Sequence, residues 1–157
     1  MILVMRSYHY FQLICVNLMT MEKEVVLGID LGGTYTKLGL VTKTGSILNV
    51  RRFDTKAKFS FHDFLKKLEG EVNALKSVLG SGQQLIGIGI GAPNANPQSG
   101  NMENPPNFRW GQTVPLVKSI KKIFNLPVAL TNDANAAALG ELEYGLGKGM
   151  KNFVVLT

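Results

Sequence analysis

The sequence predicts an α/β domain on one mixed sheet, antiparallel at one side and parallel at the other. Three short runs of strand-forming residues, 25–30, 36–41 and 47–53, are separated only by tight turns, as in an antiparallel meander. Helical periodicity then takes over and alternates with apolar strands. Helix-linked strands of that kind lie side by side and parallel. At 157 residues the chain has the length of about one domain.

The elements follow in order. After the turn at 42–46, residues 47–53 close the meander. Phe61, Phe64, Leu65, Leu68, Val72, Leu75, Val78 and Leu79 then share one helical stripe, with Ser60 and Asp63 spaced as a capping box and Gly80 as its stop. Residues 84–91, with LIGIGIG at their centre, form a continuous apolar run suited to a buried parallel strand. Residues 92–112 carry four prolines and many asparagines, a long loop of the kind that is usually functional. Thr113 caps a helix over 114–124, with Pro115 tolerated in its first turn. A strand at 126–131, an alanine-rich helix at 132–144 and the start of another strand at 153–157 complete the order.

Composition narrows the classes of function. The net charge of +6 is scattered, and its densest cluster is Lys121-Lys122 with Lys118, which reads as solvated helix face rather than a nucleic-acid stripe. The sole cysteine, Cys15, excludes an internal disulfide framework and a cysteine-based zinc site, and fits a reducing cytoplasm. No run approaches the roughly 18 apolar residues of a spanning helix, so no membrane partner is expected. Arg6 and His9 interrupt the apolar residues 1–20, and no clear cleavage site follows them. These residues read as an extension ahead of a natural start at Met21, outside the fold.

Two stretches invite chemistry. In Asp30-Leu-Gly-Gly-Thr34 the plain reading is a tight turn whose glycines reach positive φ. That leaves the acid and the hydroxyl unexplained. Glycines also let backbone N–H groups approach an anion, Thr34 adds a donor, and an aspartate close by can hold a hydrated Mg²⁺. Gly32, Gly33 and Thr34 thus form a candidate phosphate hairpin, with Asp30 on its metal side. The alternating Gly87, Gly89 and Gly91 imitate a dinucleotide fingerprint but lie within a strand and precede Pro93, so that reading is rejected. No Walker-type element is present.

The second stretch is Thr131-Asn-Asp-Ala-Asn135. Asn132 or Asp133 can cap the helix that follows. Three polar side chains nevertheless crowd a strand's carboxyl end, where open α/β sheets bind ligands. An aspartate there can accept a hydroxyl proton while asparagine orients the substrate, and the residues leave capping and catalysis equally open. The loop segment Asn104-Pro-Pro-Asn107-Phe-Arg-Trp110 offers further substrate contacts or a rigid turn with Trp110 over the core. Glu103 and Arg109 are an exposed pair on the plainer view, and Lys37 decorates a strand.

The segments GIDLGGTYTK, GIGIGAPN, NPPNFRW and LPVALTNDANAAALGE, in this order, resemble the ROK (repressor, open reading frame, kinase) family of sugar kinases, its glucokinase-like members above all. The resemblance implies the actin-like, ribonuclease-H-like ATPase fold, two lobes around a cleft, and transfer of a phosphoryl group from ATP, with Mg²⁺, to the 6-hydroxyl of a hexose. By position it implies phosphate contacts at Gly32, Gly33 and Thr34, a magnesium-side acid at Asp30, sugar contacts at Asn107, Asn132 and Asp133, and a catalytic base at Asp133. It also implies a second phosphate hairpin, further sugar ligands, a structural zinc and the adenosine pocket in a C-terminal lobe beyond residue 157. Residues 21–151 are then the N-terminal lobe and 152–157 the first strand of the next, a chain with negligible activity alone. A homodimer is expected of the full-length enzyme. The alternatives are the sensing domain of a ROK repressor, or a kinase for fructose, N-acetylmannosamine or N-acetylglucosamine. The residues do not separate ATP from polyphosphate as donor.

Overall fold

The structure, a computed structural model, describes residues 24–156. The expected extension, Met21 and Cys15 lie outside the described residues, as does Thr157. The chain runs β1 (Glu24–Leu31), β2 (Tyr35–Thr42), β3 (Ile47–Asp54), α1 (Phe61–Lys76), β4 (Gln84–Ala92), β5 (Ala95–Asn96), β6 (Asn101–Glu103), β7 (Thr113–Val114), α2 (Leu116–Phe124), β8 (Val128–Asn132) and α3 (Asp133–Tyr144). Five strands form one sheet in the order β3-β2-β1-β4-β8. The β3-β2-β1 side is antiparallel and the β1-β4-β8 side parallel, as the meander and the helix-linked strands require.

Alternation along each strand sorts side chains onto two unlike faces. One presents Leu27, Ile29, Leu38, Leu40, Phe53, Ile88, Ile90 and Leu130. Phe64, Leu68, Val72 and Leu75 of α1, with Leu116 and Ile120 of α2, close over them to form the main core. Each such large side chain contributes about 1.5–3 kcal/mol on burial. The other face carries a minor cluster of Val26 and Val41 with Ile86; beyond it the residues are small, Gly28 lying between Gly39 and Gly89, and Asp30 lies beside Gly91. There α3 packs through Ala136, Ala137 and Gly140. A Cβ on Gly91 would lie 3.1 Å from Ala136 Cβ and 3.6 Å from Asp133 Cα. The alternating glycines thus give the helix a close seat.

The α1 cap follows expectation: Ser60 Oγ accepts from Asp63 N–H at 3.1 Å and donates to Asp63 Oδ2 at 2.7 Å. The helix stops sooner than expected, because Ser77 turns its N–H back to the carbonyls of Asn73 and Leu75; Val78 is exposed and Gly80 is not the stop. Residues 92–112 are not a featureless loop, since β5, β6 and β7 pair there as a second antiparallel sheet. Their two or three residues are too few for alternation to show in sequence. Asn94, Asn104 and Asn107 take the corners at positive φ, which asparagine tolerates better than most residues. Thr113 is in β7 rather than a cap, and α2 begins after Pro115 with no side-chain cap. Residues 153–156 form no strand: no described strand pairs with them, and Val154 and Leu156 are exposed.

Candidate functional site

The parallel strands β1, β4 and β8 end along one edge, the place where open α/β sheets receive ligands. Asp30 stands in register with Gly91, and Gly91 with Thr131. At ~4.8 Å per strand, the ends of β1 and β8 are about 10 Å apart. The hairpin residues 32–34 leave from the first, and Asp133 opens α3 from the last.

The hairpin is held by hydroxyls that its own sequence does not reveal. Thr55 Oγ1 donates to Gly32 O at 2.6 Å and shares a 2.8 Å hydrogen bond with Thr36 Oγ1, while Thr55 N–H donates to Thr34 O at 2.9 Å. Both threonines are buried. Neither Gly32 nor Gly33 takes positive φ, so the expected conformational reason for glycine is absent. Gly32 is needed for close approach, its N–H lying 3.1 Å from Tyr35 O where a Cβ would sit at 2.9 Å. Gly33 is not crowded: a Cβ there would meet Asn107 Cβ at 3.6 Å. Among the described residues the N–H groups of Gly33 and Thr34 have no acceptor. Two neighbouring donors on a fixed loop are chemically suited to an anion.

Asn107 reaches this hairpin on an aromatic wedge. Phe108 packs edge-on to Trp110 at 4.6 Å, and Trp110 lies 5.1 Å from Phe61 and 4.7 Å from Phe64. Trp110 Nε1 donates to Phe59 O at 3.0 Å, and Arg109 N–H to Ala57 O at 2.8 Å. Trp110 therefore packs over the core as expected. Glu103 accepts instead from Asn96 and Ser99, so the expected contact with Arg109 gives way to local turn geometry.

Asp30 and Asp133 belong to one electrostatic neighbourhood. Lost hydration pushes the Asp30 carboxyl above its ordinary value; Lys37 opposes this and the charge of Asp133 adds to it. Lys37, expected to decorate a strand, is opposite Asp30 in register, with Nζ 3.4 Å from Oδ2. Asn132 caps α3, its Oδ1 accepting from Ala134 N–H at 2.9 Å and Asn135 N–H at 3.4 Å. Asp133 Oδ1 also accepts from Ala134 N–H, at 2.8 Å, yet the residue stays exposed at a helix N-terminus, which favours negative charge. Capping and an accessible carboxylate thus coexist on adjacent residues.

Among the described residues, no three His, Cys, Asp or Glu gather as a metal cage. Asp30 keeps 37% of its side chain exposed and faces the field of a second acid. One partly exposed carboxylate, with Lys37 Nζ 3.4 Å away and a second acid near by, fits at most a divalent cation that retains most of its water, such as Mg²⁺.

Fold and site together define a mixed-sheet α/β domain in which a hairpin with two open N–H donors and an acid-bearing helix start share one sheet edge. The chain belongs to the ROK family, whose model matches residues 26–157. It is 34% identical over 137 residues to a glucokinase of Streptomyces coelicolor, covering 85% of this chain and 40% of that protein. It is 33% identical over 138 residues to a xylose repressor of Caldicellulosiruptor bescii, covering 82% and 33%. Among solved structures, a ROK family glucokinase of Streptomyces griseus in complex with glucose and AMPPNP superposes with a TM-score of 0.66 at 29% identity, covering 80% of this chain and 38% of that one. The chain thus spans about two fifths of the length of the curated glucokinases it matches. No described helix is long and apolar enough to cross a membrane.

Proposed function

We propose that the chain is the N-terminal lobe, residues 21–151, of an ATP-dependent hexose kinase of glucokinase type, with the actin-like ATPase fold its sheet order suits. One observation carries this reading: an anion-binding hairpin and an exposed aspartate leave the same sheet edge about 10 Å apart. That gap suits a phosphate chain on one side and a sugar hydroxyl on the other. The similarity to a glucokinase solved with glucose and AMPPNP supports it.

In this reading the N–H groups of Gly33 and Thr34 hold the terminal phosphates, and Thr34 adds its hydroxyl. Asn107 and Asn132 orient the sugar, Asn132 through its amide nitrogen because its oxygen is engaged in the cap. Asp133 accepts the proton of the hexose 6-hydroxyl as that oxygen bonds to the γ-phosphorus and the bond to the departing ADP breaks. Positioning supplies much of the rate in such transfers. Held through water by Asp30, Mg²⁺ would neutralise phosphate charge. The lobe supplies one wall of the cleft and turns over negligibly alone.

Amide NMR of the chain titrated with glucose and with MgATP tests this. The nucleotide is expected to shift Gly32, Gly33 and Thr34, and the sugar Asn107, Asn132 and Asp133. Sugar shifts with no nucleotide response would favour the second reading, a repressor's sensing domain, which the xylose-repressor similarity supports. Silence from both ligands would refute both readings.

A further inference from the structure

We propose a second binding site, in the cavity between β3 and α1, for a small organic anion with a flat apolar body. Its occupant bears on both parts of the candidate site through the connection 55–60. The inference goes beyond the kinase reading and does not depend on it.

The cavity has a volume of about 720 Å³, within the ~300–1,000 Å³ usual for small-molecule sites. Its apolar lining is aromatic, with Phe53 from β3, Phe64 from α1 and Phe59 from the connection between them. Phe53 and Phe64 are buried, their ring centroids 6.0 Å apart, whereas Phe59 is 61% exposed. A large ring left open beside two buried ones offers a flat ligand a face to cover.

The charges around this lining are unequally satisfied. Glu71 is shared by Arg51 and Lys67, and Asp63 accepts from Ser60 in the first turn of α1. Arg52 and Asp54 border the strand side with opposite charges, and alternation with Phe53 turns both side chains from α1. Lys56 is different. Among the described residues it has no carboxylate within ion-pair distance, and its ammonium stands 5.7 Å from the Phe59 ring centre. A cation beside an aromatic lining matches an anionic head on an apolar body.

The backbone here is strained and well connected. Lys56 holds φ at 52°, a left-handed conformation that is unfavourable for lysine. Its carbonyl accepts from Phe59 N–H at 2.8 Å. On one side, Thr55 holds the hairpin at Gly32 O and Thr34 O. On the other, Ala57 O and Phe59 O accept from Arg109 N–H and Trp110 Nε1, close to Asn107. A ligand lying against this connection therefore touches the supports of both.

Amide NMR of the full chain with three probes tests the proposal. Phenylacetate has the body and the charge, 2-phenylethanol the body alone, and inorganic phosphate the charge alone. Phenylacetate is expected to shift the amides of Thr55, Lys56 and Phe59, and the indole N–H of Trp110, the only tryptophan. The other two probes should bind more weakly by about fivefold, the upper scale of an exposed ion pair. Lys56→Asn removes the charge but keeps a residue that tolerates positive φ. It should lower phenylacetate affinity by a similar factor and leave 2-phenylethanol unaffected; Lys56→Gly serves if that variant does not fold. Equal affinities for the acid and the alcohol, wild-type affinity in the variant, or silence with all three probes would each overturn the inference. None of these outcomes alters the expected response of Gly33 and Thr34 to MgATP, so the kinase reading stands or falls apart from it.

Discussion

The two faces of the central sheet are built from different residues for different ends. On the face toward α1 and α2, Leu27, Ile29, Leu38, Leu40, Ile88 and Ile90 fill volume and supply the burial that holds the lobe together. On the opposite face Val26 and Val41 form only a small cluster, and beneath α3 glycines and alanines fill little volume, so β4 and α3 come within contact distance. The first face provides stability. The second provides proximity, setting the start of α3 against the end of β4 so that Asp133 and Asp30 share one edge. The acids divide in the same way. On the α1 side, Glu71 is held below its ordinary value by hydrogen bonds from Lys67 and Arg51 that outweigh its burial. On the glycine side, Asp30 is pushed above its own.

Cutting into each face separates these roles. Ile90→Ala, at a fully buried position of the aliphatic face, should cost about 2–5 kcal/mol in urea unfolding, and the folded fraction should bind ligand as before. Its neighbour on the opposite face should behave differently. Gly91→Val overpacks against Ala136 and should cost about 1–3 kcal/mol, but it should also displace Asp133 and abolish the sugar response in the NMR titration. A Gly91→Val variant with normal sugar shifts would show that close helix packing is irrelevant to the site.

Smaller effects sharpen the contrast. Asn132→Ala removes the α3 cap and should cost about 1 kcal/mol, with frayed amides at Ala134 and Asn135. Thermal melts against pH should give the two acids opposite signs. Glu71 contributes stability above its ordinary 4.5 that is lost as pH falls through its lowered native value, so Glu71→Gln should flatten the acid limb. Asp30 favours the fold below its ordinary 3.8, and that contribution is lost as pH rises through its raised native value. Asp30→Asn should therefore melt higher than wild type at neutral pH, with the gain vanishing in acid. A neutral-pH loss would mean that the Lys37 contact outweighs the lost hydration.

Periodicity made much of this fold legible in advance. The meander, the stripe on α1, the run of β4 and the start of α3 each follow from spacing that a single sequence displays. The β5-β6-β7 sheet was hidden because its strands are too short to alternate. At the site, the glycines, Asp30, Asn132 and Asp133 stand out as polar or small residues at strand ends. The supports do not. Thr36 and Thr55 meet across 19 positions, and Lys37 finds Asp30 only through β-sheet register. The glycines of β4 show in the sequence, but their purpose depends on which helix lies over them.

The most direct test of the shared edge is paramagnetic broadening by Mn²⁺·ATP in the ¹⁵N-labelled chain. Amides of Gly32, Gly33 and Thr34 and those of Asp133 and Ala134 are expected to broaden together. Loss of the hairpin signals while the start of α3 stays sharp would contradict the shared edge.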